Sequence, residues 1–234
     1  CKWPYDPDPH IVKQAKVLRE VSFAEAIELS LFGAKYMHPR ALEPVMDSKI
    51  PIRIRNAFNI SNHGTIISKL PNKSSQKIVK SIIAIRNTAL IDVSGGAMVG
   101  APGTAAKIFD ALARKSVNIM MISQSPSESS ISMVVKKDDL DTAITTLDLT
   151  LVDNLIKNVK VNEDVAVIAV VGSGMRGIKG IAAKVFTSIS EKKINVIMIT
   201  QGSSELNLAF VVNNSDCEKA VRSLHETFML TKIN

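Results

Sequence analysis

The chain contains the same stretch twice. "LIDVSGGAMVGAPGTAAKIFDALARKSVNIMMISQSPSES", from Leu90, lies over "VIAVVGSGMRGIKGIAAKVFTSISEKKINVIMITQGSSEL", from Val167, at an offset of 77 residues. No gap is needed through Leu147 and Leu224, and about twenty of the 58 pairs are identical. Identical pairs include Gly95/Gly172, Met98/Met175, Gly100/Gly177, Gly103/Gly180, Lys107/Lys184, Asn118/Asn195, Gln124/Gln201 and Glu128/Glu205. Register held that long means one structural unit used twice, each copy about 60–75 residues.

Periodicity gives the order inside a unit. "ALIDVSG" reads as a strand. "GTAAKIFDALARK" places Ala105, Ile108, Phe109 and Leu112 at helical spacing. "VNIMMIS" is an apolar run, and "SISMVVK" alternates. The short serine-rich link between them, with Pro126, predicts a hairpin. "DLDTAITTL" reads as a second helix and "IKNVKV" as a last strand. The order is βαββαβ, a ferredoxin-like unit, so the fold class is α+β. The second copy runs short after "CEKAVRSLHETF", with only "MLTKIN" left for a fourth strand. Ahead of the first copy, "KSIIAIRN" (Lys80–Asn87) has no place within it. Ile82–Ile85 therefore supplies the missing strand of the second unit, and the first unit is inserted in the second.

Gly172, Gly174 and Gly177 spell G-x-G-x-x-G between a strand and a helix, the setting of a dinucleotide fingerprint. That reading needs a parallel βαβ unit and an acid about 20 residues on. "INVIMITQ" ends without an acid and turns back as a hairpin. The first copy has Ala97 where the second has Gly174, so the shared set is Gly95/172, Gly100/177 and Gly103/180. These glycines make a strand-to-helix turn. Such a turn also exposes N–H groups at the positive end of a helix dipole, which suits a small anion such as the carboxylate of a free amino acid. Gln124 and Asn118 on the following strand offer a donor and an acceptor each, for a ligand or merely for a strand end.

Charge is uneven. Residues 1–88 hold 14 Lys/Arg against 7 Asp/Glu, and residues 89–234 hold 15 of each. The basic surplus carries few aromatics and no nucleic-acid motif, so a smaller anion or plain solubility is the preferred reading over nucleic acid. The two cysteines, Cys1 and Cys217, form no framework, which fits a reducing cytoplasm. His10, His38, His63 and His225 lack metal-ligand spacing, so no metal is expected. The longest apolar stretch, near Val165–Met175, is far short of the roughly 18 residues that span a bilayer. The chain begins at Cys1 rather than Met, which suggests a piece of something longer.

Two tandem units with "GAPGTAAKIF", "VNIMMISQ" and "ITQGSSE" resemble the paired ACT domains of aspartate kinases. The N-terminal "DPDPHIVKQAKVLREVSFAEAIELSLFGAKYMHPRALEPVMDSKIPIRIRNAFN" resembles the end of that family's kinase domain, and "HGTIIS" its closing segment. "SFAE" (Ser22–Glu25) is in its own right a capping box that opens a helix. The expected domains are 1–72, the end of the kinase domain; 73–88, a linker and the donated strand; 89–164, the first ACT unit; and 165–234, the second.

The resemblance implies regulation of aspartate phosphorylation by an end-product amino acid bound between ACT units of a homodimer. It implies an effector site of Met98, Gly100, Ala101, Pro102, Gly103, Thr104 and Ala105 on the turn, with Val117, Asn118, Ile119, Met120 and Gln124 on the facing strand. Met175, Gly177, Gly180, Asn195 and Gln201 would form a second site, where Arg176 meets a carboxylate or faces solvent. Lysine-inhibited members place an aspartate where this chain has Met120, and a thioether cannot pair with an ammonium. Threonine is therefore favoured over lysine, and an amino-acid sensor with no kinase role is the other class of reading. Lys35 matches a lysine that contacts ATP phosphates, whereas His10 stands where the family has a nucleotide-holding arginine. The family's phosphate loop and aspartate-binding residues are not found. The expectation is a regulatory portion that is inactive alone and holds no cofactor, with ATP and Mg2+ in the complete enzyme. It would be part of a longer chain or an independently made subunit, with the missing kinase portion as partner.

Overall fold

The computed structural model describes residues 5–31, 38–59, 61–69, 77–150 and 156–228. Lys35, the expected boundary at 72/73 and the C-terminal "MLTKIN" lie outside the described residues. The N-terminal segment holds β1 (Glu20–Ser22), α1 (Phe23–Leu31), α2 (Glu43–Asp47), β2 (Ile52–Ile54) and β3 (Thr65–Ser68). Its small sheet runs β1-β3-β2, with β1 parallel and β2 antiparallel to β3.

The repeat forms one sheet of six strands. Along the chain come β4 (Ser81–Ser94), α3 (Thr104–Arg114), β5 (Ile119–Gln124), β6 (Ser130–Lys136) and α4 (Leu140–Thr150). Then follow β7 (Asn158–Val171), α5 (Ile181–Glu191), β8 (Met198–Thr200), β9 (Asn207–Asn213) and α6 (Cys217–Thr227). The order across the sheet is β5-β6-β4-β7-β9-β8.

The two central strands each serve both units. Ser81–Ile85 of β4 pairs with Val171–Val167 of β7, and Thr88–Ser94 pairs with the opening half of β7 on one side and with β6 on the other. The first unit is thus closed by the opening half of β7. The second is closed by the opening half of β4, which precedes the first unit in sequence. The insertion expected from the strand count is what the structure shows. What the sequence presents as two strands, Lys80–Asn87 and Ala89–Gly95, is one 14-residue strand with a register shift between Ile85 and Thr88. Asn87 takes φ 61° there, so the chain kinks without leaving the sheet.

Three cores follow from the two faces of this sheet. Ile91, Val93 and Met133 pack under α3 and α4 with Ile108, Leu112 and Leu147. Ile168, Val170 and Phe210 pack under α5 and α6 with Val185, Val221 and Leu224. The opposite face, with Val167, Ala169, Val171 and Val211, is covered by Val21, Phe23, Leu29 and Ile67 of the N-terminal segment. Cover on both faces explains why Val165–Val171 is apolar without alternation: every residue of it is buried. No helix among the described residues is long and apolar enough to cross a membrane.

Candidate functional site

Each unit's first strand runs into a glycine-rich turn. In the first unit, residues Gly96–Met98 make one 3-10 turn that drives Met98 into the core, where it is 2% exposed. The second unit repeats this with Ser173–Met175. Gly100 and Gly103 then take φ 64° and 86°, and Gly177 and Gly180 take 71° and 85°. An L side chain is strained in that region, so these two pairs recur as glycine. Gly95 and Gly172 are extended, and glycine is not demanded there by φ.

Gly103 and Gly180 sit at the starts of α3 and α5 with no side-chain cap, and neither helix has an acid in its first turn. The leading N–H groups of a helix lack intrahelical partners and lie at the positive end of its dipole. Both starts are therefore electropositive backbone surfaces with no anionic side chain of their own. Thr104 braces the first turn by donating its Oγ1 to the Ala101 carbonyl at 2.9 Å.

The hairpin after β5 closes over the same turn. Glu128 takes φ 57° and its carboxylate accepts the Gly100 N–H at 3.0 Å. In the second copy Glu205 takes φ 54° and accepts the Gly177 N–H at 2.6 Å. Sequence reasoning recorded this pair as identical and gave it no role. Its signal was identity between copies at a hairpin, where only turn residues are otherwise needed.

The register shows which expected residues come together. Gln124 lies opposite Ile131, and Ile131 opposite Val93, so Gln124 stands at the glycine-turn end of the sheet. Ile119 lies opposite Val135, and Val135 opposite Ala89, so Asn118, Ile119 and Met120 stand towards the other end. Six residues of strand separate Asn118 from Gln124 by roughly 20 Å. A single amino acid does not bridge that gap. The structure groups Met98, Gly100, Ala101, Pro102, Gly103, Thr104, Ala105 and Gln124 at one end, and Val117, Asn118, Ile119 and Met120 towards the other. Met98 and Val117 are buried, and Asn118 and Gln124 are exposed. In the second copy Met175 is buried, while Gly177, Gly180, Asn195, Gln201 and Arg176 are exposed.

The glycines of the two turns differ in the room around them. A side chain on Gly96 meets nothing within 4 Å. One on Gly172 would stand 2.4 Å from the Ile78 carbonyl oxygen, and one on Gly174 would stand 2.7 Å from that of Lys77. The G-x-G of the apparent fingerprint thus makes room for residues Lys77–Lys80. β8 also pairs antiparallel with β9, which lies between it and β7, so β7 and β8 are not the adjacent parallel strands of a Rossmann unit.

Glu25 is wholly buried beside the second turn. It completes the expected capping box: its N–H donates to Ser22 Oγ at 3.1 Å and its Oε2 accepts the Ser22 N–H at 2.8 Å. Its other oxygen, Oε1, accepts the Ser173 N–H at 2.9 Å and the Ser173 hydroxyl at 2.7 Å. Burial works to raise its pKa, yet the Ser22 and Ser173 donors and the charge of Lys80 hold it below the ordinary glutamate value.

A separate cavity of about 270 Å3 lies between residues His10–Gln14 and α6, lined also by Arg222, His225 and Glu226. Arg222 there donates to the Ile11 carbonyl at 3.1 Å and to Glu218 at 3.3 Å. Among the described residues no three His, Cys, Asp or Glu are grouped to hold a metal.

The ACT domain family matches residues 91–150 and 168–228, and the amino acid kinase family matches residues 5–56. The chain belongs to the ACT domain family, of which it carries two tandem copies behind an amino acid kinase fragment. Its relatives over nearly its whole length are aspartokinases and bifunctional aspartokinase/homoserine dehydrogenases. The chloroplastic bifunctional aspartokinase/homoserine dehydrogenase 2 of Zea mays is 38% identical over 237 residues, which cover 97% of this chain and 26% of that protein. The aspartate kinase of Clostridium acetobutylicum matches in structure with a TM-score of 0.88 at 31% identity, over 97% of this chain and 53% of that one. E. coli aspartokinase III in complex with lysine and aspartate (T-state) matches with a TM-score of 0.81 at 30% identity, over 96% and 49%. The chain spans about a quarter of the length of the first curated relatives it matches, 26% in the maize protein.

Proposed function

We propose that this chain is the regulatory portion of an aspartate kinase, which phosphorylates L-aspartate with ATP. Its first ACT unit binds an end-product amino acid, threonine, for feedback inhibition. The observation that carries this is the start of α3: a left-handed glycine, no side-chain cap and no acid in the first helical turn, with an exposed amide, Gln124, at the same end of the sheet. The helix N–H groups take the ligand carboxylate and Gln124 takes its hydroxyl. ATP and Mg2+ belong in this reading to the remainder of the kinase domain.

The separation of Gln124 from Asn118 supports a homodimer, with the far-end residues supplied to each ligand by the second copy. The Ile122 carbonyl of β5 accepts a hydrogen bond from Thr200 Oγ1 of β8 within the chain at 3.4 Å, and the Ile122 side chain, 42% exposed, is the apolar contact offered to that copy. A ligand held between copies favours one dimer arrangement, and its differential affinity is all that can shift the equilibrium.

Lysine is the second reading, since the E. coli relative is a lysine complex. Against it stands Met120, which has no charge to offer an ammonium. A sensor without a kinase role is disfavoured by the N-terminal segment, whose Val21, Phe23 and Leu29 are built into the sheet's inner core. Thermal shift with threonine, lysine, methionine and aspartate separates these. Threonine should raise the melting temperature by linkage. Stabilisation by lysine alone removes the Met120 argument, and no stabilisation by any of them removes the site.

A further inference from the structure

The same turn occurs twice, and among the described residues only the second is bonded to the N-terminal segment. The first turn has an open Gly96 and an exposed Ala97. The second is packed against residues Lys77–Lys80; the Lys80 N–H donates to the Val171 carbonyl at 2.8 Å, as the Lys157 N–H does to the Ser94 carbonyl at 2.9 Å in the first copy. It is also bonded to Glu25 through both the N–H and the hydroxyl of Ser173, where the first copy has Gly96. Beside it Asn207 of β9 donates to Glu28 of α1 at 2.5 Å.

We infer that the second glycine turn is an internal docking site for the kinase-like segment, fastened by Glu25 to Ser173, and that it passes the ligand state of the first unit to α1. The path is short and covalent at one end. β7 closes the first unit with Asn158–Val165 and opens the second with Val165–Val171, in one strand that runs straight into Gly172 and Ser173. A displacement of the first unit therefore pulls on the turn that Glu25 holds. Glu25 also caps α1 through Ser22, so one buried carboxylate ties the start of α1 to the end of β7. The second turn, taken up in this way, leaves one effector per chain. Glu25 acts as a positioning residue, since it meets neither effector nor substrate.

The transmission half of this rests on the effector reading above; the fastening half does not. Hydrogen exchange on the whole chain tests both. Ser173→Gly gives the second turn the residue type that the first has at Gly96 and is the milder variant, while Glu25→Gln keeps the shape and removes the charge. Without ligand, either variant should speed exchange at residues 172–176 and at residues 23–26 together, and leave residues 96–100 as in the wild type. Acceleration at only one of the two places, or at neither, overturns the fastening. With threonine, the wild type should gain protection at residues 96–105 and at residues 23–31. Ser173→Gly should keep the first gain, with affinity within about threefold, and lose the second. Equal protection of residues 23–31 in the variant overturns the transmission, and two bound ligands per chain overturn the closed second turn. Absence of any threonine effect in the wild type strikes the effector reading and the transmission built on it, and leaves the ligand-free result to decide the fastening.

Discussion

Glu25 is fully buried, and its lowered pKa favours the carboxylate. Removing it leaves the Ser173 and Ser22 donors without their acceptor in a buried setting and takes a countercharge from near Lys80, and such losses are large. Glu25→Ala should cost about 3 kcal/mol in urea unfolding. Its lowered pKa also fixes a sign. The native state binds fewer protons here than the unfolded chain, so the stabilisation is present above the ordinary glutamate range and is lost as the pH falls below it. On acidification from about pH 6 to about pH 3, wild type should therefore lose more stability than Glu25→Gln, and parallel curves refute the assignment. The glycines make a second test at this scale. Gly174→Ala should destabilise by roughly 1–3 kcal/mol, because the added carbon meets the Lys77 backbone. Gly96→Ala, into open space, should be close to neutral. The sequence showed that Ala97 replaces Gly174 in the first copy, and so marked Gly174 as no part of the shared turn. It gave no sign of what Gly174 does, because the atoms it makes way for lie about a hundred positions earlier in the chain.

At the scale of elements, β4 and β7 decide the architecture. Each reads in sequence as a broken pattern. Arg86 and Asn87 interrupt one, and Asn162, Glu163 and Asp164 interrupt the other. Polar breaks of that kind usually mark strand ends. Here they mark the joint where one strand passes from one unit to the next, and residues 162–164 stay in β7 while exposed. The count of strands was legible, and with it the insertion, because each βαββαβ unit needs a fourth strand to cover its helices. The continuity was not legible, because it depends on pairing across 77 residues. Asn87 is the test. Its φ of 61° is tolerated by Asn and Gly but strained for a β-branched residue. Asn87→Gly should fold with nearly unchanged stability, and Asn87→Val should lose about 1–2 kcal/mol. Equal losses would mean that the kink is not needed to join the halves.

For the whole molecule, the repeat's two copies have taken different work. The second is bonded to the N-terminal segment through Glu25 and Glu28, and the first has no such bond at its turn among the described residues. The candidate site was legible as a set of residues and not as a place. Periodicity put Asn118 and Gln124 on one strand, but their distance from the turn follows only from sheet register. That register carries the last prediction. If the residues towards the Asn118 end serve a ligand only when a second copy brings them, binding and dimerisation are linked. Sedimentation velocity should then show threonine shifting the chain towards dimer, and calorimetry should show weaker threonine binding as the protein is diluted below its dimerisation constant. Ile122→Lys places a charge at an exposed side chain of β5 without touching the glycine turn, so it should weaken dimer and threonine binding together. Full threonine affinity in a monomeric Ile122→Lys chain would place the whole site within one copy, and Gln124 with the α3 start would have to suffice.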